Sequence, residues 1–136
     1  MDLKGTIMSD ELKEKAVELK QRPDHNCCQA VASVLTNGDP VVYQLASGFG
    51  GGMGTGKGTC GALVGAVMAA GLLTEGKDPI KSYRSQLTNK FIERCGGSCV
   101  CRELKGIGTG KVLCSCEDCV RNAVEVFREV TGRETI

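Results

Sequence analysis

The sequence lacks several features that mark other classes of protein. It has no tryptophan, one histidine and 4% aromatic residues, and its 17 Lys+Arg and 16 Asp+Glu nearly cancel. Since it shows neither a basic block nor an aromatic platform, we expect no nucleic-acid partner. No cysteine pair is followed by histidine, which excludes a standard c-type haem attachment. The apolar run at residues 62–73 is too short to span a bilayer, so we expect no insertion into a membrane.

Cysteine, by contrast, is abundant. The chain carries nine cysteines in 136 residues, a density typical of disulfide-rich secreted proteins. The number is odd, however, and the first residues show neither the basic nor the apolar region of a secretory signal. We therefore expect a cytoplasmic location, where such a density favours metal, cluster or thiol chemistry.

The hydrophobic pattern predicts an all-α fold. No segment shows sustained alternation of apolar and polar residues, whereas several show helical periodicity. We expect residues 1–136 to form one domain, a compact bundle of five to six helices around a buried central helix at residues 62–73. Capping residues predict where helices start. The predicted caps are Ser9, Asn26, Asp39, Thr59, Asp78, Ser98 and Ser115.

A glycine-rich stretch leads into the central helix. Residues 48–58 include seven glycines and Lys57, and Thr59 and Cys60 follow. With Thr59 as the cap, Cys60 would lie at the first helical position, where N–H groups and the helix dipole favour a thiolate. Gly61 and Gly65 share one helical face and would admit another backbone or a cofactor at close range.

Four cysteines have the same setting, in the first turn of a predicted helix. Backbone N–H groups at helix starts stabilise anionic sulfur. If the bundle brings these starts together, they form a pocket for a thiolate-bound metal centre or for redox disulfides. The four are Cys27, Cys60, Cys101 and Cys116.

The other five cysteines permit further interpretations. The patterns Cys99-x-Cys101 and Cys114-x-Cys116-x-x-Cys119 can hold zinc or iron–sulfur centres, but the paired C-x-x-C knuckles of a zinc ribbon are absent. Cys28 lies on an apolar face and is expected in the core. Gly58, after Lys57, breaks the P-loop pattern, so nucleotide binding is not supported.

The motifs together resemble the C-GCAxxG-C-C family of small redox-active proteins, over nearly the whole chain. The resemblance implies that the family's recurring cysteines correspond to Cys27, Cys60, Cys101 and Cys116. It also implies an all-α fold similar to part of the split-Soret cytochromes, which carry an iron–sulfur centre as well as haem. The matching segments are Asn26-Cys27-x-Gln29-Ala30, Phe49-Gly50-Gly51-Gly52-Met53-Gly54, Cys60-Gly61-Ala62-x-x-Gly65, Cys101-Arg102-Glu103-Leu104-x-Gly106 and Cys116-x-x-x-Val120.

Three functions follow as hypotheses. The first is electron transfer through an iron–sulfur cluster held by the four cysteines, with close backbone approach at Gly52, Gly54, Gly61 and Gly65. The second is a thiol–disulfide oxidoreductase in which Cys60 attacks and Cys27 or Cys101 resolves. The third is a module that binds zinc or another soft metal without redox turnover. The expected partner is a redox protein or a small thiol, and a homodimer is possible.

Overall fold

The computed structural model describes the backbone of residues 3–136 and the side chains from residue 10 onward. This part of the chain contains no strand, only an isolated bridge between Thr59 and Val100, so the all-α prediction is confirmed. None of its helices is long and apolar enough to cross a membrane. Its seven helices are α1 (Leu3–Lys20), α2 (Cys27–Leu35), α3 (Pro40–Ala46), α4 (Gly61–Gly71), α5 (Lys77–Arg94), α6 (Cys101–Lys105) and α7 (Cys116–Thr131).

Two short turns replace regular structure between α3 and α4. Ser47–Phe49 is a 3₁₀ turn, and Gly52–Gly56 is a single wide turn that includes left-handed residues. The glycine-rich stretch is therefore a tightly folded loop between two helices, and its glycines supply the left-handed backbone that this loop needs.

Helices α2 and α4 together form the centre of the bundle. All nine residues of α2 are buried, and α4 buries a face rich in alanine and glycine. The prediction of a central helix at residues 62–73 is therefore correct, but α4 forms the centre together with α2. Helix α4 is also less enclosed than its apolar sequence suggests, because Leu72, its C-cap residue, is 55% exposed.

Small residues let α2 and α4 pack closely. A Cβ atom on Gly65 would lie 2.9 Å from the carbonyl oxygen of Cys28 and 3.1 Å from the backbone nitrogen of Ala32. A Cβ on Gly61 would lie 3.2 Å from the nitrogen of Cys28. Side chains longer than hydrogen at these positions would push the two backbones apart.

The remaining helices close the core around this pair. Leu87 and Phe91 of α5 are fully buried, as are Val120 and Phe127 of α7. Helix α7 contacts α1, α2, α4 and α5. It has a strongly amphipathic sequence, and its apolar face is covered by these neighbours.

Three of the predicted helix caps are confirmed. The Asn26 side chain accepts from the N–H of Gln29 at 2.8 Å, and the Gln29 side chain accepts from the N–H of Asn26 at 3.0 Å, which completes a capping box. Asp39 caps α3 ahead of Pro40. The Ser115 hydroxyl accepts from the N–H of Asp118 at 3.1 Å.

The other four predicted caps are wrong. Helix α1 begins at Leu3 and runs through Ser9. Helix α5 begins two residues early, at Lys77, with Gly76 as its N-cap residue, and Pro79 lies in its first turn, where its missing N–H needs no partner. Helix α6 has Val100 as its N-cap residue. Thr59, the fourth, does not cap α4, because the N-cap residue of that helix is Cys60.

Candidate functional site

Four helix starts meet around one enclosed cavity. Cys27, Cys101 and Cys116 are the first residues of α2, α6 and α7, and Cys60 immediately precedes α4. All four line a cavity of about 10 Å³. That is about the space of one water molecule. The other lining residues are Gly51, Gly61, Leu104, Lys105, Cys114 and Cys119.

Cys60, not Thr59, occupies the N-cap position of α4. Thr59 is instead held in extended backbone by its bridge to Val100, while the N–H of Cys60 donates to the carbonyl of Cys99 at 2.7 Å. This pairing between distant segments overrides the local preference for a threonine cap. No side-chain hydrogen bond caps α4, so the Cys60 sulfur lies at a helix start whose first N–H groups have no capping oxygen.

The glycine loop holds Cys101 in place. The N–H of Cys101 donates to the carbonyl of Gly58 at 3.0 Å, which anchors the start of α6 to the loop. Gly52, with φ of 58°, lies so close that a Cβ there would be 2.5 Å from the Cβ of Cys101. A side chain at Gly52 would therefore displace Cys101.

The four glycines predicted as cofactor neighbours have different positions. Gly61 lines the cavity, and Gly52 packs directly behind Cys101. Gly65 faces the backbone of α2, so its observed contact is helix packing. Gly54 has left-handed backbone and no atom within 4 Å of a Cβ built on it. A cofactor contact at these glycines stays a prediction.

Cys27 and Cys116 share a proton across the cavity. The Cys27 thiol donates to the Cys116 sulfur, which raises the pKa of Cys27 above its usual range. The same hydrogen bond, supported by Lys105 and Lys20, lowers the pKa of Cys116 to about 6, although partial burial opposes this shift. The hydrogen bond and the two lysines therefore favour the thiolate form of Cys116 in the metal-free protein.

Cys60 forms a second such pair, with Cys119. Donation from the Cys119 thiol lowers the pKa of Cys60, and the N–H groups of Ala62 and Leu63 at the start of α4 act in the same direction, against the effect of burial. The pKa of Cys119 is raised, first by its hydrogen bond to Cys60 and then by the one to Cys95. The assignment of Cys27 or Cys101 as the resolving partner of Cys60 stays a prediction, and Cys119 is a further thiol beside Cys60.

Cys95, Cys114 and Cys119 form a buried group that we call the thiol triad. Their sulfur atoms all lie within 4.8 Å of one another, and among the described residues this is the one set of three or more Cys, His, Asp or Glu ligand atoms that does so. The Asn122 side-chain amide donates to the sulfurs of Cys95 at 3.4 Å and Cys114 at 3.7 Å.

The triad combines segments that are far apart in sequence. Cys95 is the C-cap of α5, Cys114 precedes α7, and Cys119 lies in the first turn of α7. Hydrogen bonds from Cys119, Asn122 and Cys114 lower the pKa of Cys95 to about 7, against the effect of burial. Burial and the charge of Cys95 raise the pKa of Cys114 to about 12. The spacing of Cys114 and Cys119 was visible in the sequence, but nothing local connected them to Cys95.

Lys105 supplies positive charge to the opposite side of the cavity. Burial lowers the pKa of Lys105, but the sulfurs of Cys116, Cys101 and Cys27 near its ammonium group raise the pKa above its usual range. Lys57, the lysine of the glycine loop, is exposed and does not line the cavity. The cation beside the cysteines therefore comes from α6.

The remaining candidates lie away from the cavity. Cys28 is fully buried against Met68 in a separate apolar cluster, which confirms its assignment to the core. His25 is half-buried, hydrogen-bonded to Asp24 at 2.8 Å and packed beside Tyr43. It lines a larger groove of about 640 Å³ that contains no cysteine.

The comparisons with known proteins agree with the cysteine pattern. A family model described as "Putative redox-active protein (C_GCAxxG_C_C)" matches residues 25–130. This range includes all nine cysteines. No curated protein and no solved structure matches the chain.

Proposed function

The chain belongs to this redox-active family, and on that premise we propose that it transfers electrons through an iron–sulfur cluster bound by Cys27, Cys60, Cys101 and Cys116. The observation that supports the proposal is the convergence of four helix starts, each with a cysteine, on one cavity. Cysteine thiolates are the usual ligands of such clusters. When bound, the cluster supplies a couple that accepts and returns single electrons.

The spacing of the sulfurs favours a cluster over a single ion at these four residues. Tetrahedral zinc, with Zn–S bonds of about 2.3 Å, holds its sulfurs only about 3.8 Å apart. Among the described residues, no three of the four cysteines lie within 4.8 Å of one another. A polynuclear centre holds its thiolates farther apart, because its own iron and sulfide lie between them.

Loading the cavity requires the thiol pairs to separate. With a volume of about 10 Å³, the cavity leaves no space for a cluster while Cys27 contacts Cys116 and Cys60 contacts Cys119. Metal binding displaces the protons that these pairs share. The N–H groups at the start of α4 and the ammonium of Lys105 then stabilise the negative charge of the thiolates.

The test is the iron and acid-labile sulfide content per chain of protein purified without air, combined with the visible spectrum. We expect stoichiometric iron and sulfide, and we expect Cys60→Ser to abolish or strongly alter the spectrum. Cys28→Ala is the matched control, because Cys28 is equally buried but lies outside the cavity. An unchanged spectrum in Cys60→Ser would contradict the proposal.

Dithiol chemistry is the second candidate, supported by the lowered pKa of Cys60 beside the Cys119 thiol. Cys60 is only 6% exposed, so an external disulfide reaches it only if the residues that cover it move. Protein without iron, sulfide or zinc but with free thiols, together with fast pH-dependent alkylation of Cys60, would favour this function. Zinc in place of iron would instead favour a metal-binding module without redox turnover.

A further inference from the structure

We propose that the thiol triad is a second metal site. It binds one thiophilic divalent cation, such as Zn²⁺, through Cys95, Cys114 and Cys119. This site is separate from the cluster proposed at the four helix starts. Its fourth coordination position is open to an exchangeable ligand such as water.

The geometry of the triad is that of a single-ion site. Three sulfurs within 4.8 Å of one another need to approach by only a small amount to reach the spacing of about 3.8 Å that tetrahedral zinc imposes. Cys95 is fully buried, and Cys119 and Cys114 are 2% and 8% exposed. A disulfide would join only two of these three sulfurs, whereas one metal ion would engage all three.

Asn122 provides the outer support that such sites need. Its one amide nitrogen reaches the sulfurs of both Cys95 and Cys114, from the turn of α7 that follows Cys119. Hydrogen bonds of this kind orient metal-bound thiolates and spread their charge. An amide between two sulfurs also stabilises thiolates better than thiols, because it is a donor to both.

The fourth position and the entry route come from a neighbouring cleft. Among the described residues, no fourth Cys, His, Asp or Glu ligand atom joins the group. Cys114 and Asn122 line a polar cleft of about 530 Å³ that opens to solvent. Three protein ligands with one open position are typical of zinc sites that exchange their fourth ligand.

The triad is physically distinct from the cluster ligands, although the two adjoin. Cys114 and Cys119 line the inner cavity, and Cys119 contacts Cys60 there. Cys95 does not line that cavity. Because the two sites adjoin, metal bound at one can be distinguished from metal bound at the other only by removing the ligands of one site.

The test uses a chain with Cys27→Ser, Cys101→Ser and Cys116→Ser, which removes three of the four proposed cluster ligands and leaves the triad intact. Reduced protein receives Zn²⁺, excess metal is removed by desalting, and zinc, iron and sulfide per chain are measured. X-ray absorption at the zinc edge then counts the sulfur ligands. We expect one zinc per chain with three sulfurs at about 2.3 Å and one lighter ligand.

Two further variants in the same background locate the zinc. Cys119→Ser is expected to lose the one zinc per chain, and Cys28→Ala is the buried control that should keep it. Circular dichroism checks that each variant is folded. As a check that does not depend on the folding of the triple variant, the zinc-edge spectrum is also recorded on the unsubstituted chain, purified without air and loaded with Zn²⁺.

The outcomes separate this proposal from the proposed function. Zinc on three sulfurs, with iron lost in the triple variant, supports both sites. The triad proposal is overturned by folded protein that retains no zinc, by zinc on four sulfurs, or by a Cys119→Ser variant that keeps its zinc. Iron and sulfide in the unsubstituted chain decide the cluster independently.

Discussion

Substitution of Gly65 by alanine tests the packing that places Cys27 and Cys60 at one cavity. Gly65 is the point where α4 lies against α2, and the atoms that an added methyl group would meet are mainly backbone. The shortest distance is 2.9 Å, to the carbonyl oxygen of Cys28. Backbone atoms within two packed helices cannot turn aside as a flexible side chain can, so the helices themselves must separate.

Two opposing effects determine the magnitude. Overpacking of this kind costs roughly 1–3 kcal/mol. Alanine in place of glycine inside a helix returns roughly 1 kcal/mol through backbone entropy. We therefore expect Gly65→Ala to reduce the free energy of unfolding by up to about 2 kcal/mol, a fall of up to about 8 °C in Tm for a chain of this size.

The matched control lies in the same helix. Gly71 has ordinary helical backbone and no atom within 4 Å of a Cβ built on it. Gly71→Ala should therefore change stability by no more than roughly 0.5 kcal/mol, in the stabilising direction. Urea and thermal unfolding are measured at equal metal content, because bound metal itself raises Tm. If Gly65→Ala is as stable as Gly71→Ala, close packing of α2 on α4 is not what Gly65 provides.

Two further predictions concern the charges at the cavity. In reduced, metal-free protein, alkylation of Cys116 should accelerate as the pH rises through about 6 and level off above about 7. Cys27→Ala should move this midpoint to higher pH, and mass spectrometry of the alkylated peptides measures both midpoints. A midpoint near 9.0 in the unsubstituted chain would contradict the hydrogen bond between Cys27 and Cys116. If the cavity binds the proposed cluster, Lys105→Gln should lower the reduction potential of the cluster, because a positive charge beside the cysteine ligands is lost. Lys105→Arg keeps that charge and should change the potential less. Equal potentials for the two variants in a potentiometric titration would show that Lys105 does not have this role.

The sequence could predict the positions of two site cysteines because their signals are local. Asn26 and Ser115 cap their helices through side-chain contacts only three residues long, and such contacts are encoded in neighbouring residues. Cys27 and Cys116 therefore lie where the pattern placed them. The all-α class followed in the same way from helical periodicity.

The sequence could not predict features that depend on packing between distant segments. Thr59 is a good cap by propensity, yet its bridge to Val100 gives that position to Cys60. The triad likewise depends on α5 ending beside the start of α7, which brings Cys95 to Cys119. No periodicity or cap connects these residues, since the contact exists only once the helices are packed.

The two hydrogen-bonded thiol pairs connect the fold to metal chemistry. In the metal-free protein Cys116 and Cys60 are the acceptors, with lowered pKa values, while Cys27 and Cys119 keep their protons. The folded chain therefore holds part of the negative charge that a metal requires before any metal arrives, and metal binding must still displace the protons of thiols such as Cys27. Because a larger fraction of the cysteines is protonated at lower pH, metal binding must weaken in acid. The helix starts and Lys105 limit that effect by stabilising the thiolate form from the protein side. The packing of α2 on α4 also contributes to metal binding, since it holds Cys27 and Cys60 at the same cavity.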